Sequence, residues 1–305
     1  VASVVYGGGN NEAGTVNFND GSSLTFQNIE TMIIDGVPFT PPNGVVNGTG
    51  ADDSIGAGYV DADGDQIDGS DGDNDVVLAG DGNDTVLAGA GDDSVMGEAG
   101  DDTLITGGVA GPGNDSLYGG AGNDQLVVEN GTGFVLVEGG EEPGDNDRLV
   151  LPGTGADGVN VGFTGDETGS FGYSGGAGGG NFAEIETIET GAGNDTINAS
   201  ASSAETQLLT GAGEDFITGG AGGDRIDAGA DNDQVFAGAG ADTVDGGTGD
   251  DALYGGAGND DLIGGTGNDY MQGDEDDDTL QGGDGDDFLR GDAGDDWVFG
   301  DAGND

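Results

Sequence analysis

The chain has 305 residues, 72 of them Gly, and 62 acidic against three basic side chains leave a formal charge of −59. It contains no His, no Cys and no Lys, which removes Ser-His-Asp triads, thiol nucleophiles, ordinary zinc sites and disulfide frameworks. Without a basic patch, nucleic acid and anionic membrane surfaces are excluded as partners, and no apolar run approaches the ~20 residues of a membrane span. High charge with low hydrophobicity reads as disorder.

Residues 1–44 form a small N-terminal β segment. Alternation in Thr15-Val16-Asn17-Phe18 and Ser23-Leu24-Thr25-Phe26, around Asn19-Asp20-Gly21, predicts a β-hairpin, and Pro38, Pro41 and Pro42 mark a boundary. Residues 45–128 hold an acidic, irregular lead-in and a first repeat block. In the lead-in Asp61, Asp63 and Asp65 mimic the start of an EF-hand loop, but Gln66 and Gly72 at its sixth and twelfth positions break the motif. From Ala79 onward Asp84, Asp93 and Asp102 stand nine apart, each followed two residues later by Val86, Val95 or Leu104. The next apolar position is Leu117, 13 further on, so Thr106–Pro112 carries a four-residue insertion before Asp115 and Asp124 resume the phase. Residues 129–190 interrupt the repeat with longer strand-like runs, Gly133–Val137, Gly158–Thr164 and Asn181–Glu186, and read as irregular coils of one continuous solenoid. Within them Gly172-Tyr173-Ser174-Gly175-Gly176 matches the nucleophile-elbow pattern, but with no His the segment reads as a flexible loop, and the chain is not expected to be an enzyme.

Residues 191–305 form the second block, opened by Asp195 and strict from Thr210. Ile217, Ile226, Val235, Val244, Leu253, Leu262, Met271, Leu280, Leu289 and Val298 recur in steps of nine. So do Asp215, Asp224, Asp233, Asp242, Asp251, Asp260, Asp269, Asp278, Asp287, Asp296 and Asp305, with Gly in the turn before them. A random acidic coil would not keep residue types in phase for so long, so disorder is expected only without a ligand. The three residues around each apolar position make a minimal strand with one inward side chain. The Gly, Asn and Asp between them make a turn that visits positive φ. Two nonapeptides thus close one 18-residue coil, and stacked coils place residue i about 4.8 Å from i+18.

Stacking also sets Asp on Asp, with one ladder on each edge. Two carboxylates ~5 Å apart repel by roughly 3 kcal/mol at an effective dielectric near 20, so the coil stack demands a cation. Calcium takes six to eight oxygens, including the carbonyls that Gly turns expose, whereas magnesium holds its waters and an octahedral shell.

The in-phase copies resemble the RTX (repeats-in-toxin) nonapeptide GGxGxDxUx of calcium-binding proteins exported by type I secretion. The resemblance implies an all-β fold, a right-handed parallel β-roll or β-solenoid with calcium in the turns. It also implies that the sixth-position Asp residues, namely Asp84, Asp93, Asp102, Asp115, Asp124, Asp195 and the eleven from Asp215 to Asp305, bind Ca2+ with turn carbonyls. RTX proteins usually carry a C-terminal secretion signal that is not visible here, so the chain is expected to be a fragment or processed form of a longer secreted protein. Asp231, Asp274, Asp276, Asp292 and Asp301 replace Gly in the turns and read as solvated charge, with additional ligation as the alternative.

Outward strand positions carry Phe216, Phe236, Tyr254, Tyr270 and Phe288, all on odd repeats and hence on one face. Spacings of 18 within Phe236–Tyr254 and Tyr270–Phe288 predict stacked rings, a strip that could support self-association. The expected role is a secreted structural or assembly protein, located outside the cell or at its surface. The alternative is the non-catalytic repeat region of a larger enzyme, toxin or adhesin.

Overall fold

The computed structural model describes residues 45–62, 67, 74–107, 113–131, 133–140, 145–153, 158–174 and 178–305, with the backbone of five strands before residue 45. Every regular element among the described residues is a strand. In the N-terminal segment Ala13–Asn17 runs antiparallel to Ser23–Gln27, and Ser3–Tyr6 adds on its other side. Asp63 and Asp65 of the EF-hand-like stretch lie outside the described residues.

From Val45 onward the chain winds as a parallel β-solenoid, laying its strands into a 14-stranded and a 12-stranded sheet. In the second block Gln234–Ala239, Ala252–Ala257, Tyr270–Glu275 and Phe288–Ala293 stack in one sheet. Thr243–Thr248, Asp261–Thr266, Thr279–Asp284 and Trp297–Ala302 stack in the other. The register steps by 18: Val235 lies beside Leu253, and Leu253 beside Met271. These apolar residues face inward and are fully buried, as are Val77, Val95, Leu104, Leu126, Ile217, Val244 and Leu262. Each coil contributes only a few such side chains, so the core is a thin seam.

The strands are longer than the sequence pattern predicts. Three residues were expected, yet many strands run to six, because pairing continues past the apolar residue into the turn, as in Gly238 beside Gly256. Stacking turn on turn gives these backbone groups partners that an isolated turn lacks. The turn itself needs positive φ at two positions, seen at Gly247 and Gly249 (φ 94° and 139°). Asp231, Asp274, Asp276, Asp292 and Asp301 occupy the same turn positions with φ between 66° and 81°, a conformation that Asp tolerates better than most residues. Four of these side chains are exposed and Asp274 is half-buried.

The interruption is built into the same sheets. Gly179–Ala183 pairs parallel with Phe134–Glu138, Thr168–Tyr173 runs antiparallel beside it, and Val159–Gly165 leads on to Thr196–Asn198. The opposite sheet passes directly from Arg148–Leu151 to Thr187–Thr190. One sheet therefore gains two strands, and the widened interior is filled by Phe163, Phe171, Tyr173 and Phe182. Phe163 meets Phe182 edge-on, with centroids 5.2 Å apart. Tyr173, expected in a flexible loop, ends a strand, and its buried hydroxyl donates to the Val128 carbonyl.

The aromatic strip forms an unbroken ladder on the 14-stranded sheet. Phe236 and Tyr254 stack at 4.7 Å with planes 8° apart, and Tyr270 and Phe288 at 5.1 Å with planes 3° apart. Tilted contacts of 5.8 and 5.7 Å join Phe216 and Tyr270 to the pair between them. Phe216 and Phe288, at the two ends, are exposed.

Candidate metal centre

The corner after each turn places one Asp at the start of a strand, with its side chain turned under the coil. Asp84, Asp93, Asp102, Asp115, Asp124, Asp195, Asp215, Asp224, Asp233, Asp242, Asp251, Asp260, Asp269, Asp278 and Asp287 are all buried, at 6% exposure or less. Asp296 is half-buried and Asp305 exposed. Along each edge the backbone N–H of one Asp donates to Oδ1 of the Asp in the next coil. The bonds from Asp215 to Asp233, Asp233 to Asp251 and Asp251 to Asp269 measure 2.8, 2.8 and 2.9 Å. The opposite edge repeats the pattern from Asp224 through Asp242, Asp260 and Asp278 to Asp296. Oδ1 is thus committed to holding coils together.

The second oxygen is left over. In Asp84, Asp93, Asp102, Asp124, Asp233, Asp242, Asp251, Asp260, Asp269, Asp278 and Asp287, Oδ2 is buried and accepts no hydrogen bond. Buried charges persist in folded proteins when they are paired or coordinate a metal. Asp224 is different: its Oδ2 accepts the Gly220 N–H at 2.7 Å, and its Oδ1 also accepts from Thr206, which stands where an Asp would extend the ladder.

The glycine five residues before each Asp shows what surrounds the free oxygen. A Cβ on Gly246 would lie 2.7 Å from Asp251 Oδ2 and 2.9 Å from the carbonyl oxygen of Gly264 in the next coil. At Gly246 a carboxylate and a carbonyl oxygen therefore face one small space that a Cβ there would fill. The same pair recurs at Gly255, Gly264, Gly273 and Gly282, and in the first block at Gly97 and Gly119. Ala79, Ala88, Ala228 and Ala237 occupy the equivalent place before Asp84, Asp93, Asp233 and Asp242, so the turns come in two forms. Among the described residues no group of three or more acidic side chains gathers round one point. A bound ion must draw on carbonyl as well as carboxylate oxygens, and an all-oxygen set of this kind suits calcium.

Burial, and then the neighbouring carboxylates, raise these acids far above the usual Asp value. Asp233 is pushed up to about 8, Asp102 and Asp260 to about 7, and Asp115, Asp124, Asp215, Asp242 and Asp269 to about 6.

An outer ladder, one residue earlier in each turn, runs in the opposite direction. The N–H of Asp250 donates to Asn232 Oδ1, that of Asn268 to Asp250 and that of Asp286 to Asn268. Asn and Asp alternate at 232, 250, 268, 286 and 304, so each Asn amide can bond the carboxylate below it, as Asn268 does at 3.0 Å. The alternation is legible in the sequence and leaves no two carboxylates adjacent along this ladder.

The repeat phase also passed over four acids that the fold adds to the inner ladders. Asp53 donates its N–H to Asp84 Oδ1, and Asp75 to Asp93 Oδ1. Asp147, fully buried, accepts the Asp124 N–H at 2.8 Å and donates its own to Glu186 Oε2 at 2.6 Å. Asn146-Asp147-Arg148-Leu149 carries the repeat's Asn-Asp-x-apolar signature, the one signal that could have found it.

Fold and centre together define a parallel β-roll whose coils are hydrogen-bonded to one another through rows of buried carboxylates, most with a free oxygen turned to an oxygen-lined space. The sequence profile of the RTX calcium-binding nonapeptide repeat matches residues 69–104, 109–135, 182–203, 209–244, 236–271 and 272–305, more than half of the chain. The protein belongs to that family, and its repeats bind multiple Ca2+ ions. No curated protein matches the chain.

Proposed function

We propose that this protein is a calcium-stiffened, non-catalytic rod that folds outside the cell and serves a structural or assembly role, in a surface layer, matrix or filament. The Asp residues of the two inner ladders, from Asp84 to Asp305, are its metal ligands; all but Asp224, whose Oδ2 holds the Gly220 N–H, offer Oδ2 while Oδ1 fastens the coil. The observation that carries the reading is the row of buried, unpartnered Oδ2 atoms repeated coil after coil. Without cations these charges oppose stacking, and with them binding energy becomes folding energy. Weak sites in series fill at millimolar calcium, the level outside cells.

The aromatic ladder is the surface through which one rod associates with another, since a contiguous apolar strip, exposed at Phe216 and Phe288 and half-buried between them, on so acidic a protein marks a contact site. The test is circular dichroism in chelator and then in calcium, followed by electron microscopy of the folded form. The expected result is a coil that becomes β on adding calcium and then forms ordered arrays, with Tyr254→Ser/Tyr270→Ser folding but failing to assemble. Full β signal in excess chelator overturns the calcium-folding reading, and a double variant that assembles like wild type overturns the role of the strip.

A further inference from the structure

The RTX profile leaves residues 136–181 unmatched, and the nonapeptide phase is lost there. The geometry of the calcium turns is nevertheless rebuilt across this stretch, from Gly139 and Asp147 to the start of the next matched segment. In a regular turn the space beside a glycine is bracketed by Oδ2 of the Asp five residues later and by the carbonyl 18 residues later, as at Gly246. At Gly139 a Cβ would collide with Asp147 Oδ2 and with the carbonyl oxygen of Glu184. The same two kinds of oxygen face the same space, although the partners are eight and 45 residues away. Upstream the arrangement joins the regular ladder, because Gly119 is bracketed by Asp124 Oδ2 and the carbonyl of Gly139 itself.

Asp147 is fully buried, its Oδ1 is taken by the Asp124 N–H, and its Oδ2 is unpartnered. Glu186 stands in the next coil where an Asp would stand, one methylene longer, with Oε2 on the Asp147 N–H and the carboxylate half-buried. The ladder stops above it, because the following place is Thr206, which has no carboxylate and donates its hydroxyl onward to Asp224, and the Glu186 N–H goes instead to the Asp147 carbonyl.

We propose that Asp147 Oδ2 and the Glu184 carbonyl, with Glu186 beside them, form a further calcium site. It joins Asp147, in the unmatched stretch, to Glu184 and Glu186 at the start of the next matched segment, and bolts the interrupting coils to the first block. The inference rests on the calcium binding of the family and not on the structural role proposed above. The rival account of the unpartnered oxygen is a proton on Asp147. Asn at this position keeps the Oδ1 acceptor and mimics a protonated carboxyl, so Asp147→Asn separates the two.

The experiment is native mass spectrometry of the full chain in calcium, with hydrogen exchange of the strand Arg148–Leu151 in calcium and in chelator. Asp261→Asn, on an exposed outward position, is the control. The site predicts one fewer bound calcium ion for Asp147→Asn and a loss of calcium-dependent protection in Arg148–Leu151, with the control unchanged. Glu186→Gln, whose backbone role survives, should raise the calcium needed to protect that strand about tenfold, and it keeps the test open if Asp147→Asn does not fold. An unchanged ion count with protection retained in Asp147→Asn, or an unchanged calcium requirement in Glu186→Gln, overturns the site. Wild type binding many ions in the same spectra shows that such a failure concerns this site alone.

Discussion

Replacing Asp251 with Asn separates charge from hydrogen bonding at a single rung of the roll. The Asn side chain still offers Oδ1 to the Asp233 N–H, now 2.8 Å away, and its own N–H still reaches Asp269 Oδ1 at 2.9 Å. Only the buried negative charge on Oδ2 disappears. Its ladder neighbours lie one strand spacing away on either side, ~4.8 Å. Each fully charged pair at that distance repels by ~3 kcal/mol at an effective dielectric near 20. Burial raises the Asp251 carboxyl, and without calcium at pH 8 its neighbour Asp269, pushed up to about 6, is charged, so the charge that Asn removes faces at least that one partner. The variant should therefore be more stable than wild type in chelator, by up to about 3 kcal/mol. In calcium the sign reverses, because a charged ligand is gone; a tenfold loss of affinity at that rung costs ~1.4 kcal/mol. The damage should stay with the neighbouring coils, as in other repeat proteins. The assay is circular dichroism of both proteins in chelator, with an excluded osmolyte to populate the fold, and then in saturating calcium with urea. Asp251→Ala checks the frame: it also strips the Asp233 N–H of its acceptor, costing about 1–3 kcal/mol in both conditions. An Asn variant that shifts stability in the same direction with and without calcium refutes the reasoning.

The raised carboxyls make a pH prediction. An Asp whose folded value lies near 6 to 8, against an ordinary 3.8, contributes stability that is fully present below pH ~4 and is lost as pH rises through the folded value. Acidifying the chelated chain from pH 8 towards 4 should therefore raise its β signal, whereas in calcium the same acidification should shift the folding midpoint to higher calcium, because protons compete for the ligands. In the outer ladder Asn268→Asp would stack three carboxylates at 250, 268 and 286; the exposed site limits the loss to about 0.5 kcal/mol, abolished by high salt in a calcium-saturated thermal melt.

Periodicity alone determined most of the architecture. A nine-residue step that keeps one apolar residue, one Asp and a Gly turn in phase fixes which side chain points inward, because strands alternate faces. It also fixes the 18-residue coil, which by itself places Phe236 on Tyr254 and Tyr270 on Phe288, as the structure has them. Those inferences succeed because every contact involved is between residues a constant distance apart in the chain.

The sequence is silent where that constancy fails. Asp147 and Glu184 meet beside Gly139 only after the chain has made an extra antiparallel excursion through Val159–Gly165 and Thr168–Tyr173, and no spacing rule connects them. Nor does the pattern distinguish Asp224 from its equivalents, although the Gly220 N–H has already claimed its second oxygen. The division of labour within a carboxylate such as Asp251, Oδ1 to a backbone N–H and Oδ2 to the space beside a glycine, is likewise a property of stacked coils. A single nonapeptide supplies the carboxylate, but the N–H donor comes from the coil on one side of it and the carbonyl from the coil on the other.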